Sequence, residues 1–216
     1  VFQFIIQNTA QLCGKNYGDD EQQDIAFRVI ADHLRAVSLC IADGQLPSNT
    51  GAGYVVRRVL RRAVRYGYSY LGFQESFFNQ LVPGLADYFA SSFPELKAQE
   101  SFVQRVIQEE ENSFFRSLST GMGRLGAFID QHPKGIVDGA TAFELYDTFG
   151  FPIDLTDLIA RERGCSVDMD GFQTALQAQK DRSKADAVKQ TGDWHTIMAD
   201  SEESFCGYDT TQSVTE

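Results

Sequence analysis

Apolar residues recur at three- and four-residue spacing through most of this chain, the periodicity of helices that bury one face. Val1, Phe4 and Ile5 begin such a pattern, which ends near Gly14. Asp19, Asp20 and Glu21 then place anions at the positive end of a second helix, whose Ile25, Ala26, Val29, Ile30, Leu34, Val37 and Ile41 form an apolar stripe before Gly44. The following GQLPSNTGAG reads as a loop, in which Ser48, Asn49 or Thr50 can cap the next helix. That helix is predicted over Gly53 to Gly67, with Val56, Val59, Leu60, Ala63 and Val64 on its apolar side.

Past Gly72, Phe73, Phe77 and Phe78 with Leu81 and Leu85 predict another buried helix. Phe102, Val103, Val106, Ile107, Phe114 and Leu118 mark a longer one, on which Glu109, Glu110 and Glu111 read as a solvated face. In DGATAFELYDTFGFPIDLTDLIARERG two short helices are punctuated: Asp138 caps the first, Gly150 and Pro152 end it, Asp154 caps the second and Gly164 closes it. Asp170 opens a last helix carrying Phe172 and Leu176 before a charged remainder. Strand alternation is absent through residue 190, and no internal repeat is found. The expected fold is therefore all-α and multihelical, with one domain over 1–190. Residues 191–216 read as a linker ending in the Thr-rich FCGYDTTQSVTE, a short strand-like tail that would open a following domain.

At 216 residues and 43% hydrophobic, the chain is long and apolar enough to bury a sizeable core. It has no apolar run long enough to span a bilayer and no signal-peptide pattern, so a soluble cytoplasmic protein is expected. The chain lacks an initial methionine and Val1 already lies in a helical pattern, as expected for a piece of a longer protein. Cys13, Cys40, Cys165 and Cys206 are scattered without zinc-ligand spacing and read as buried reduced thiols. His33, His132 and His195 are isolated, and no nucleophile elbow is present, so no catalytic or metal-ligating residue is expected. His33 reads as structural or as a contact beside RNA.

Charge alters this picture. The net charge is −11, yet residues 1–100 hold 9 Lys/Arg against 10 Asp/Glu while 101–216 hold 10 against 20. No acid lies between Asp43 and Glu75, a gap that contains Arg57, Arg58, Arg61, Arg62 and Arg65. Their spacing on a helix lines them along one face, where like charges four residues apart repel. Two readings follow. The arginines pair with acids from neighbouring helices, or they meet a polyanion, since guanidinium forks suit phosphate oxygens and Tyr54, Tyr66, Tyr68 and Tyr70 flank them. TGAG at 50–53 lacks the ending of a phosphate loop and follows no strand. Asp147 is also out of place: it falls in the last turn of its helix, whose negative end favours a cation. Either a nearby group satisfies it, or it accepts a hydrogen bond from a ligand.

The stretch RVIADHLRAVSLCIADGQLPSNTGAGYVVRRVLRRAVRYG, followed by FELYDTFGFPIDLTDLIARERG, closely resembles the alanyl-tRNA synthetase family. The resemblance is dense over 28–72 and 137–182, thin over 74–100 and uncertain after 192. It implies the helical middle segment that recognises the acceptor stem of alanine tRNA, with the missing catalytic and editing domains as further partners. It also implies ATP with magnesium upstream and an editing zinc ion downstream, neither within this segment, which alone would be inactive. Family members read the G·U wobble pair with an asparagine in PSN and an aspartate in LYD, which match Asn49 and Asp147. The five arginines would then contact RNA backbone. Asn49 can also cap the arginine helix. Where many relatives carry a basic residue before GY, this chain has Ala52. A protein interaction module, whose arginine face docks an acidic partner or the catalytic domain, is the competing reading.

Overall fold

A computed structural model describes residues 1–188, of which Val1–Leu176 form one compact unit and Gln177 onward belongs to a second. The expected boundary at 190/191 and the strand-like tail lie outside the described residues. The described residues are predominantly helical, as the periodicity predicts, and none of their helices is long and apolar enough to cross a membrane.

Helix α1 (Phe2–Cys13) ends at Gly14, whose positive φ of 68° suits a residue without Cβ. Helix α2 (Glu21–Ala42) starts where Asp20 accepts from the Gln23 N–H at 2.9 Å. Its Phe27, Ile30, Leu34, Val37 and Ile41 are buried against α1 and α3 (Gly51–Tyr66). Thr50 is the residue before α3 and makes no side-chain cap. After α3 a π-helical turn (Gly67–Leu71) closes at Gly72.

The helix expected from Phe73 onward is broken. A 3-10 turn (Phe78–Leu81) leads into α4 (Val82–Phe89), with Pro83 in its first turn, then the short α5 (Pro94–Ala98). The reason lies on α6 (Glu100–Gln131). The N–H groups of Phe77, Phe78 and Asn79 donate to the Glu111 carboxylate at 3.0, 2.9 and 2.8 Å, so a remote glutamate caps the start of this segment. This overturns the solvated-face reading of Glu109–Glu111: Glu109 is exposed, but Glu110 and Glu111 are buried.

A two-residue strand β1 (Ile136–Val137) pairs in parallel with β2 (Ser166–Val167), and α7 (Gly139–Asp147) and α8 (Ile153–Glu162) connect them. Each strand runs into an aspartate that caps the next helix. Asp138 accepts from the Thr141 N–H at 2.8 Å, and Asp168 accepts from the Gly171 N–H at 2.9 Å at the start of α9 (Met169–Val188). Asp168, not Asp170, is the cap that opens α9. Pro152, not Asp154, precedes α8, because proline's fixed φ and missing N–H suit that position. Phe151 crosses α6 at Gly121, where a Cβ would lie 2.4 Å from its ring. That contact seats the α7–α8 junction directly on α6.

Candidate nucleic-acid interface

The five arginines of α3 are not one open face. Arg61 is buried, with Nε 2.8 Å and Nη2 2.6 Å from Glu110 Oε1, Nη1 donating to the Gly150 carbonyl, and its guanidinium 5.0 Å from the Phe114 ring centre. Burial pulls its pKa below the ordinary value, opposed by Glu110. Arg65 is buried too, forked onto the Glu162 carboxylate, with Nη1 3.0 Å from Oε1, and lies over the rings of Tyr66 and Tyr70. Burial is the largest single influence on Arg65 and opposes its charge, but the hydrogen bonds and charge of Glu162, with Tyr70 and Tyr66, together outweigh it and the pKa is raised. Arg57 donates through Nη2 to Glu110 Oε2 at 3.0 Å.

Arg58 and Arg62 differ. Arg58 reaches Asp154 at 3.6 Å with its side chain 42% exposed, and Arg62 makes no ion pair among the described residues. With Val55 and Val59 they form the side of α3 that stays partly open to solvent. His33 on the neighbouring α2 sits 3.1 Å from Asp32 Oδ2, and burial, with Arg62 nearby, pushes its imidazole pKa down.

Asn49 is exposed in the loop before α3, and its side chain does not cap the helix. Its Oδ1 accepts from Arg57 Nη1 instead. An arginine only donates, so the amide oxygen must face it and the Nδ2 hydrogens are left outward. Asp147 is the exposed last residue of α7, and among the described residues it has no hydrogen-bond or ion-pair partner. Three residues on, Gly150 turns the chain with φ 68°, and its carbonyl is the one Arg61 holds. A continuous set of bonds therefore runs from Asn49 through Arg57, Glu110 and Arg61 to the turn after Asp147.

Sequence reasoning missed Glu110, Glu162 and Gly150 as partners of the arginines. Only the unfavourable crowding of charge on α3 signalled that anions were needed there. Among the described residues no group of three His, Cys, Asp or Glu is arranged to hold a metal ion.

This predominantly helical segment therefore carries an amide donor held outward at Asn49, a carboxylate at Asp147 with no partner among the described residues, and a partly open arginine side on α3. The chain belongs to the family of class II tRNA synthetases (A), which matches residues 1–216. It is 54% identical over 212 residues to the alanine–tRNA ligase of Cytophaga hutchinsonii, covering 97% of this chain and 24% of that protein. The alanine–tRNA ligase of Porphyromonas gingivalis is 50% identical over 219 residues, covering 100% of this chain and 25% of that protein. The chain thus spans about a quarter of the length of the curated relatives it matches.

Proposed function

We propose that this segment belongs to an enzyme that attaches alanine to its tRNA using ATP, and that it binds the acceptor stem and reads the G·U wobble pair. The segment itself supplies recognition, not catalysis. The observation that carries the reading is the pairing of an outward amide donor at Asn49 with an unpartnered carboxylate at Asp147, on two elements fastened to the same glutamate.

The wide, shallow minor groove of A-form RNA exposes base edges to such groups. It presents acceptors, uracil O2 and guanine N3, beside the guanine 2-amino donor, which in a wobble pair has no partner. Asn49 Nδ2 donates to an acceptor and Asp147 accepts from the amino group. Arg58 and Arg62 contact phosphates and hold the duplex in register without reading it. Arg57, Arg61 and Arg65 act chiefly by fixing the helix that carries them, since Glu110 holds the first two and Glu162 the third.

The test is competition binding of two acceptor-stem duplexes, differing only in G·U against G·C, to the full-length natural chain and its Asn49→Ala and Asp147→Ala variants. The expected result is a smaller preference for G·U with backbone affinity retained. Equal losses on both duplexes would overturn the assignment. Undiminished binding after replacing Arg58 and Arg62 would return the arginine side to protein docking.

A further inference from the structure

Among the described residues, Glu110 bonds both arginines that touch the reading elements. Its Oε2 takes Arg57, which holds Asn49, and its Oε1 takes Arg61, which holds the Gly150 carbonyl. We infer that Glu110 is a positioning residue for base discrimination: from α6 it sets the amide of Asn49 and the carboxylate of Asp147 in register with each other. This rests on the base-reading function proposed above.

Three observations support it. Arg57 and Arg61 are four residues apart on one helix, so their charges repel, and a single carboxylate between them offsets that repulsion. Glu110 is only 8% exposed, so water does not compete for its oxygens, and removing it leaves two cations without their anion. The turn after Asp147 is pinned twice to the same region, by Arg61 at Gly150 and by Ser117 of α6, which donates to the Phe149 carbonyl at 2.7 Å. Among the described residues no hydrogen bond ties the loop of Asn49 directly to α6, although its Leu46 and Pro47 border Val106 and Glu110 there; the hydrogen-bonded link of Asn49 itself passes through Arg57. Losing Glu110 therefore loosens Asn49 more than Asp147.

A residue that merely supports the fold lowers activity on every RNA alike. A positioning residue lowers the ratio between cognate and non-cognate RNA. The experiment measures kcat/KM of the full-length natural chain on the G·U and G·C stems for Glu110→Gln, Arg57→Met, Asn49→Ala and the double variants with Asn49→Ala. The Glu110→Gln and Arg57→Met variants should each lower the G·U to G·C ratio about tenfold to a hundredfold, the scale of a reading group displaced by roughly 1 Å. In the Asn49→Ala background the further loss should largely vanish. Arg57→Met keeps the helix and its apolar stem, so it answers the question even if Glu110→Gln misfolds. If Asn49→Ala lowers the ratio while both other variants leave it intact, the positioning role is wrong and base reading stands. If Asn49→Ala leaves the ratio unchanged, base reading at that residue fails and the positioning role falls with it.

Discussion

Replacing Arg61 and Arg58 one at a time should produce opposite results from two arginines three residues apart. Arg61→Met removes a buried donor from Glu110 and from the Gly150 carbonyl, with both arginine and glutamate almost fully covered. Breaking a buried pair from one side costs about 3–5 kcal/mol, and the low end applies because Arg57 still holds Glu110. Arg58→Met removes a contact at 3.6 Å between side chains 42% and 37% exposed, worth about 0–1 kcal/mol after solvent screening. Hydrogen exchange on the full-length chain reads both: about 3 kcal/mol of lost protection is more than a hundredfold faster exchange in α3 and α6 for Arg61→Met, with little change for Arg58→Met. RNA binding against salt should show the reverse. The slope of log K on log salt falls by about 1 for Arg58→Met and is unchanged for Arg61→Met wherever that variant is folded. The division into inward and outward arginines is refuted if Arg61→Met leaves exchange untouched and flattens the salt slope.

Burial pushes the Glu111 carboxyl up to about 7 from an ordinary 4.5, against the pull of three backbone N–H donors. Between those values the folded chain keeps a proton that the unfolded chain has released, so stability falls as pH rises through the window, by up to roughly 3 kcal/mol. Glu111→Gln should abolish this trend, measured as the pH dependence of amide protection over residues 77–82 in variant against parent; parallel profiles would contradict it. Gly150→Ala forces a left-handed backbone on a residue with a Cβ, which would also press on Arg61 Nη1, and should cost about 1–2 kcal/mol or more, read as faster exchange in α7 and α8. An unaffected Gly150→Ala variant would show that the turn is free to relax.

How much of this was legible in the chain depends on the range of the interaction. The helices α1, α2, α3 and α6 follow from local apolar spacing, and Asp20 and Asp138 cap where a short-range signal places them. The breaks between Gly72 and α4 were not legible, because the carboxylate that captures the Phe77–Asn79 N–H groups arrives from α6, more than thirty residues later. The same holds for Glu110 and Glu162. An acidic triplet on an amphipathic helix looks like a wet face until the partner helix is present, and only then do two of the three acids turn inward. The repeated pattern of a valine, an aspartate cap and a nearby glycine at 137–139 and 167–171 was in plain view, yet strands of two residues give too little alternation to announce themselves. Asn49 was legible as a base reader only by resemblance, whereas Asp147 also stood out as a carboxylate at the negative end of its helix. Their local sequence says loop and helix end, whereas their link through Arg57, Glu110 and Arg61 is tertiary.

The central claim is that the Asp147 carboxylate accepts from the guanine 2-amino group of the wobble pair, and it can be tested at the level of that one atom set. Inosine is guanosine without the amino group, so an acceptor stem carrying I·U differs from G·U only in the donor that Asp147 is proposed to meet. The measurement is kcat/KM of the full-length natural chain and of Asp147→Ala on both stems. The parent should prefer G·U over I·U by the equivalent of about 1–3 kcal/mol, the worth of a good base contact. The Asp147→Ala variant should treat the two stems alike, at a level close to that of the parent on I·U. An Asp147→Ala variant that still prefers G·U as strongly as the parent would contradict the account, because the amino group would then be read elsewhere.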